Sequence, residues 1–145
     1  MIRATLFAAT LAIASPASAE LVTRTIDGNF DDIAFAVESA IVGRGLVIDH
    51  VSHVGDMLER TRADVGGTVT LFTAANIFQF CSATLSRKVM EADPTNIRFC
   101  PYGVLVMETP DAPGKITLGY NALPEGPMQE VQALLADIVA EAAGN

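Results

Sequence analysis

The spacing of apolar and polar residues predicts an alternation of strands and helices along most of the chain. Apolar and polar side chains alternate in the strand-like segments, as they do where one face of a sheet is buried. In the helical segments apolar residues recur every three or four positions, which places them on one side of a helix. Strand patterns occupy residues 21–26, 46–51, 69–81, 99–108 and 115–120, and helical patterns occupy residues 30–41, 53–64, 83–92 and 127–142.

Local signals mark several of these boundaries. Asn29 precedes the first helical pattern, and Ser52 and Ser82 precede the second and third. Side-chain oxygens at such positions accept hydrogen bonds from the free N–H groups of the first helical turn. Gly43 is typical of a helix end. Pro94 stops the third helix, because the residue before a proline avoids the helical conformation.

Two strand regions decide how the chain connects. Residues 69–72 and 77–81 have strand character, whereas the segment 74–76 between them bends one strand or separates two. Proline and glycine are concentrated in the segment 110–114, which joins the last two strand patterns. That turn predicts a β-hairpin.

The mixed order of elements predicts an α+β fold. We expect a two-layer sandwich, with one mixed or antiparallel sheet and helices packed on one of its faces. The other face must be polar or paired, and if it is apolar we expect a second copy of the chain to cover it. No internal repeat or low-complexity linker interrupts residues 20–145, so we expect a single domain there.

The first 19 residues have the three-part form of a secretory signal peptide. Arg3 is the only charge before Glu20, an apolar run follows at residues 4–14, and residues 17–19 (Ala-Ser-Ala) form a small-x-small cleavage site. We expect cleavage between Ala19 and Glu20, and export to the periplasm or the medium. The apolar run is too short to cross a bilayer, and we expect no membrane span after the signal is removed.

Composition and charge exclude two classes of protein. The chain of 145 residues has 9 Lys+Arg against 17 Asp+Glu, a formal net charge of -8, and 50% of its residues are hydrophobic. A disordered acidic tail is excluded, because such chains contain few apolar residues. Nucleic acid is not an expected partner, since phosphates repel an acidic chain that has no basic patch.

Cys81 and Cys100 are the two cysteines of the chain. An even number of cysteines in an exported protein indicates a disulfide, which would stabilise the fold by about 3 kcal/mol. Their spacing matches neither a zinc motif nor a thioredoxin-type redox motif. Buried free thiols and thiolate ligands to a metal remain as alternatives.

His53 and Met57 lie four positions apart on a predicted helix, so their side chains are neighbours on one face. A neutral imidazole and a thioether suit copper or a haem iron, zinc is a further candidate, and a thiolate from Cys81 or Cys100 would complete such a site. The alternative is structural: His53 begins the helix, and Met57 packs in the core, as methionine commonly does. No cofactor is strongly implied.

The sequence contains no motif of catalytic chemistry. It has neither a Gly-x-Ser-x-Gly nucleophile elbow nor a phosphate-binding glycine loop. We expect Arg60, Arg62 and Arg87 to pair with neighbouring acids on the surface rather than to form an anion site. We therefore predict no catalytic residue, which favours a non-enzymatic role without deciding it.

Four motifs occur together along the chain. They are residues 49–61 (DHVSHVGDMLERT), 80–87 (FCSATLSR), 91–97 (EADPTNI) and 100–102 (CPY). With them the chain resembles, from about Glu20 to its C-terminus, the exported members of the domain-of-unknown-function 302 (DUF302) family. The resemblance implies a small α+β domain that tends to dimerise, and it carries over no established activity and no catalytic residues. It places both cysteines, His53 and Met57 inside motifs, which fits a disulfide or a ligand role for the cysteines.

Two functional hypotheses follow from these observations. The first is a small binding module, held together by a Cys81–Cys100 disulfide, that acts as a homodimer on an unknown small ligand. The second is a metal or haem carrier that uses His53 and Met57 with a cysteine. The state of the cysteines separates the two, because bridged cysteines cannot serve as thiolate ligands.

Overall fold

The computed structural model describes residues 20–144; the predicted signal peptide, residues 1–19, lies outside them, as does Asn145. The described residues form a five-stranded sheet and four α-helices, with a short 3₁₀ helix between the third helix and the fourth strand. The elements are β1 (Leu21–Asp27), α1 (Phe30–Val42), β2 (Val47–Ser52), α2 (Val54–Thr61), β3 (Ala74–Cys81), α3 (Ala83–Ala92), the 3₁₀ helix (Pro94–Phe99), β4 (Tyr102–Glu108), β5 (Lys115–Asn121) and α4 (Gln129–Ala142).

The sheet has the strand order β1-β5-β4-β3-β2, and every neighbouring pair is antiparallel. The predicted α+β class is therefore confirmed. The hairpin of β4 and β5 is confirmed as well, with Val106 facing Leu118 in the ladder. Within residues 20–144, no helix combines the length and the apolar character that a bilayer crossing needs.

Two of the three predicted N-cap residues make the expected hydrogen bonds to the first turn of their helices. The side chain of Asn29 accepts hydrogen bonds from the N–H groups of Asp31 and Asp32, and that of Ser82 accepts one from the N–H of Leu85. These bonds satisfy donors that have no partner inside the helix.

The prediction for the second helix was wrong at both ends. Ser52 is the last residue of β2, where it pairs with Ile77, and α2 begins after His53 and ends at Thr61 instead of near Asp64. The His53 ring makes no capping bond, because it hydrogen-bonds across to the sheet instead. Ser52 therefore belongs to the strand β2, although the local pattern assigns it to the start of the helix.

The segment before β3 also differs from its pattern. Residues 69–73 form no strand, and the segment 74–76 is neither a bend nor a break but the regular start of β3. The reason is the lack of a partner: β4 ends at Glu108, which faces Ala74, so upstream residues have no strand to pair with. A segment with strand-like side chains keeps an irregular backbone when no strand lies beside it.

The core lies between one face of the sheet and the helices α1, α3 and α4. Alternate residues of the strands point into it, as the period of a strand requires. Both aromatic residues at its centre are buried, and the ring of Phe80 meets that of Tyr102 edge to face at 6.3 Å. The fully buried side chains of this core include Val37, Ile41, Phe80, Val89, Val104, Val106, Ile116, Leu118, Met128, Val131 and Ile138.

The opposite face of the sheet, which we call the open face, is not covered by these three helices. At its centre Ile77 faces Leu105, and Ala75 faces Met107, in the ladder of β3 and β4. Helix α2 packs only over one end of this face, where Gly55 lies so close to β3 that an added Cβ would be 2.7 Å from the backbone nitrogen of Ala75. The centre of the open face is therefore apolar and half-buried.

Candidate functional site

A cleft opens where the pairing of β4 with β5 stops. The ladder joins three residue pairs and ends with Leu105 facing Gly119. In the same register Gly103 would face Asn121, but these two residues are not paired. A cavity of about 320 Å³ lies beside them, and we call it the β4–β5 cleft. Its lining consists of Ile77, Gln79, Arg98, Phe99, Pro101, Tyr102, Gly103, Leu105, Tyr120, Asn121, Leu123 and Leu135.

The disulfide anchors one wall of the cleft. The predicted bridge between Cys81 and Cys100 is present and joins the last residue of β3 to the residue before Pro101. Arg98 and Phe99, which line the cleft, directly precede the second cysteine. The bridge thus holds this wall against the sheet at the point where β3 ends.

The polar side chains of the cleft have few partners in the protein. Within residues 20–144, the amides of Gln79 and Asn121 and the hydroxyl of Tyr120 make no side-chain hydrogen bond, and Arg98 forms no salt bridge. The exception is Tyr102, whose hydroxyl lies 3.0 Å from that of Ser86. Four polar groups of the lining are therefore available to a ligand.

Tyr120 is the most enclosed of these groups, with 6% of its surface exposed. Burial raises the pKa of its phenol, because the charged phenolate is poorly solvated there. The described residues contain no fully enclosed side-chain N or O atom without a partner, so the unpaired hydroxyl reaches open space. Tyr120 also borders a depression over β1, beside Ala136 and Val139. At neutral pH its hydroxyl is a protonated donor.

Among residues 20–144, Arg98 is the only charged residue that lines the cleft. Its guanidinium carbon lies 4.7 Å from the centroid of the Phe99 ring, a cation–π contact. The pKa of the nearby Asp93 is lowered, first by hydrogen bonds from the backbone and side chain of Thr95 and only in a smaller part by Arg98. The carboxylate of Asp93 is thus held by Thr95, and the guanidinium keeps its charge without a salt bridge.

His53 and Met57 lie elsewhere, at the start of α2. The Nδ1 atom of His53 is 2.9 Å from Oδ1 of Asn76, and the ring borders a shallow depression on the side of α1, near Asp31 and Glu38. Met57 is 42% exposed, so it does not pack in the core as the structural alternative expected. Asn76 is the partner that the sequence pattern did not single out.

The structure does not bring the cysteines to this histidine. Val47 pairs with Cys81 at one end of β2, and His53 follows the other end, about 20 Å away along an extended strand. Both sulfurs are used in the disulfide. No group of three or more His, Cys, Asp or Glu side chains among residues 20–144 is arranged to hold a metal ion. The His53–Met57 pair stays a prediction, without a cysteine to complete it.

Sequence reasoning missed the residues that line the cleft. It expected Arg60, Arg62 and Arg87 to pair with neighbouring acids. Arg62 and Arg87 do so, with Glu59 and Glu91 at 3.0 Å and 2.5 Å. Arg60 forms no salt bridge within residues 20–144, so the prediction was wrong for this residue. It gave no separate attention to Arg98, although this arginine stands beside an aromatic residue just before the second cysteine. That juxtaposition is the one local signal that pointed toward the cleft.

Comparison with known proteins assigns the fold and the family. One solved structure, the crystal structure of an uncharacterized conserved protein DUF302 from Bacillus stearothermophilus, has a TM-score of 0.60 at 15% sequence identity, covering 85% of this chain and 92% of that one. A comparison with curated proteins finds no significant match. The family model described as "Domain of unknown function DUF302" matches residues 22–143. The chain therefore belongs to the DUF302 family.

Proposed function

We propose that this protein is an exported, homodimeric binding module that holds a small organic ligand in the β4–β5 cleft. The observation that carries the proposal is the convergence of four available polar groups, those of Gln79, Arg98, Tyr120 and Asn121, on one cavity. Tyr120 is buried and Gln79 is half-buried, and polar groups in such places normally find partners within the protein. Arg98 and Asn121 are exposed at the same cavity. Polar groups that have no hydrogen-bond partner in the protein and line the same cavity can bind a ligand that enters it.

The shape and chemistry of the cleft suit recognition of a small molecule. Its volume of about 320 Å³ lies at the lower end of the range of roughly 300–1,000 Å³ that is typical of ligand pockets. Apolar side chains such as Leu123 and Leu135 form much of the wall, and the polar groups are few. This combination gives affinity through apolar contact and orientation through a small number of hydrogen bonds.

The test is a fragment screen followed by NMR of the 15N-labelled protein. The probes are mixtures of small acids, amines and neutral compounds. We expect some fragments to shift the amide signals of Gly103 and Asn121 while that of Gly114, which precedes the other end of β5, stays unchanged. Asn121→Trp, at the mouth of the cleft, should abolish these shifts, and Lys115→Trp, at the other end of β5, should not. If no fragment moves the signals of the cleft, the proposal fails.

The open face supports the homodimer. Its centre is formed by Ala75, Ile77, Leu105 and Met107, which are apolar. Helix α2 contacts β3 at Ala75, whereas Ile77, Leu105 and Met107 are only half-buried. An apolar sheet face exposed to water is commonly buried against a partner, and a two-fold arrangement lets the same patch serve in both subunits. Ile77 and Leu105 also line the cleft, so a second copy on this face would lie beside the ligand.

A charge placed on the open face should separate the dimer. We expect Met107→Glu to sediment as a monomer, because a carboxylate buried in an apolar interface loses its hydration without gaining a partner. Ser39→Glu adds the same charge to the exposed side of α1 and should leave the dimer intact. Sedimentation velocity measures both variants. A dimer that persists in Met107→Glu would place the interface on another surface.

Export follows from the signal-like residues 1–19 and is tested together with the disulfide. A native mass spectrum of the protein recovered from a bacterial periplasm should show a chain that begins at Glu20. It should also show the loss of two hydrogens that accompanies the Cys81–Cys100 bridge. An intact N-terminus in the recovered protein would contradict the proposed export.

A further inference from the structure

We infer that the ligand of the β4–β5 cleft is a small organic anion, with a carboxylate bound at Arg98 and an apolar body packed against the leucines of the wall. The inference rests on the proposed function, because it names the class of ligand for the same site. It is carried by the charge of the cleft, by the arrangement of its donors and by the nature of its walls.

The charge of the cleft is opposite to that of the protein. The chain carries 17 acidic residues against 9 basic ones, yet no aspartate or glutamate of the described part of the chain lines the cleft. Most other basic side chains are neutralised by a carboxylate. The salt bridges are Arg44–Glu141, Arg62–Glu59, Arg87–Glu91, Lys88–Glu130 and Lys115–Asp27. Arg98 has no such bridge within residues 20–144, and its charge acts only weakly on the nearby Asp93, so its N–H groups are available at the cleft.

The environment of Arg98 suits a planar anion. Contact with the face of the Phe99 ring holds the guanidinium and limits its rotation. Such a contact leaves the N–H groups at the edge of the guanidinium, where they match the two oxygens of a carboxylate. An ordered donor loses less entropy on binding than a free surface arginine. A carboxylate therefore satisfies the side chain better than a neutral group does.

Tyr120 provides a second hydrogen-bond donor, in a less exposed part of the cleft. Its side chain is 6% exposed, and its hydroxyl has no protein partner among the described residues. A tyrosine phenol is protonated at neutral pH, and burial raises its pKa further, so the hydroxyl can donate a hydrogen bond to an anion. A hydrogen bond from an enclosed donor to an anion is stronger than the same bond in water. The amides of Gln79 and Asn121 add adaptable polar contacts at the mouth of the cleft.

The remaining wall is apolar and limits the size of the ligand. Leu123 and Leu135 lie on one side, and Ile77 and Leu105 on the other. A hydrocarbon or aromatic body gains by leaving water for such a surface. A fully hydrated inorganic anion would not use it. The expected ligand is thus a small carboxylic acid with an apolar body rather than free phosphate.

The experiment titrates the purified dimer with matched pairs of an acid and its amide: benzoate with benzamide, and phenylacetate with phenylacetamide. Binding is followed by NMR at Gly103 and Asn121. We expect each acid to bind at least about tenfold more tightly than its amide, as a charge-assisted hydrogen bond predicts. Inorganic phosphate should bind more weakly than either acid.

Two variants test the role of the arginine. Arg98→Gln should reduce the preference for the acid to less than about twofold, since the charge is lost but the polar group remains. Arg60→Gln removes a charge from α2, away from the cleft, and should leave the preference unchanged. Tyr120→Phe should weaken the binding of both acids several-fold while the protein keeps its circular dichroism spectrum.

The outcomes separate this inference from the function on which it rests. If acid and amide bind equally, or if the preference for the acid survives in Arg98→Gln, the ligand is not an anion held by Arg98. The cleft would still be a binding site. If phosphate binds more tightly than either acid, the inference that the ligand has an apolar body is wrong. If no compound from these pairs or from the fragment screen moves the signals of the cleft, the proposed function fails as well.

Discussion

Phe80→Ala should lower the free energy of unfolding by about 3–5 kcal/mol, the cost of emptying a large buried site. Phe80 is 0% exposed and packs edge to face against Tyr102, so no neighbour can fill the space without leaving its own contacts. Its strand neighbours, Gln79 and Cys81, face the other side of the sheet, at the cleft and the disulfide. A collapse of β3 at this point would therefore disturb the site as well as the core. Urea unfolding of the purified protein measures the change.

Phe35→Ala is the matched control, because it removes the same side chain from the surface of α1. Phe35 is 68% exposed, and we expect its loss to change the free energy of unfolding by no more than about 0.5 kcal/mol. Similar losses in both variants would contradict the packing described above. So would a cost below about 1 kcal/mol for Phe80→Ala.

Replacement of both cysteines by serine should destabilise the protein by about 3 kcal/mol in the chain-entropy model. The bridge spans a sequence separation of 19, so its loss releases a loop of moderate length in the unfolded chain. The same loop contains α3 and the 3₁₀ helix. We also expect weaker binding of the acids in this variant, because Arg98 and Phe99 lose their anchor at Cys100.

Reduction of the native protein provides the control for this prediction. Dithiothreitol should lower the urea midpoint of the native protein toward that of the Cys81→Ser/Cys100→Ser variant and should leave the variant itself unchanged. A variant as stable as the native protein would show that the bridge does not constrain the unfolded chain. A loss of stability with unchanged binding of the acids would show that the wall of the cleft is held by other contacts.

Patterns that act over short distances were reliable in this chain. The hairpin of β4 and β5 follows from alternation on both sides of a turn rich in proline and glycine, and the structure confirms it. The caps at Asn29 and Ser82 were also correct, because a cap needs only a side-chain oxygen and the next few N–H groups. The disulfide followed from the number of cysteines and the expected compartment.

Patterns that depend on a distant partner were less reliable. Ser52 has the chemistry of a cap, but its backbone pairs with Ile77 and the residue stays in the sheet. The segment 69–73 has strand-like side chains, but no strand lies beside it, since β4 ends at Glu108. In both cases the ladder depends on the end of another strand far along the chain. A local window contains no information about where that partner stops.

The same distinction applies to the function. Amino-acid order alone was enough for the α+β class and the pairing of the cysteines, whereas the partner expected for an uncovered apolar face stays a prediction. The cleft could not be found in this way, because Gln79, Arg98 and Tyr120 come from three separate segments and have no shared motif. They become neighbours where the ladder of β4 and β5 stops, and within residues 20–144 none of the three side chains forms a hydrogen bond or salt bridge with another residue. Such an absence is a property of packing in three dimensions, which the order of residues does not record.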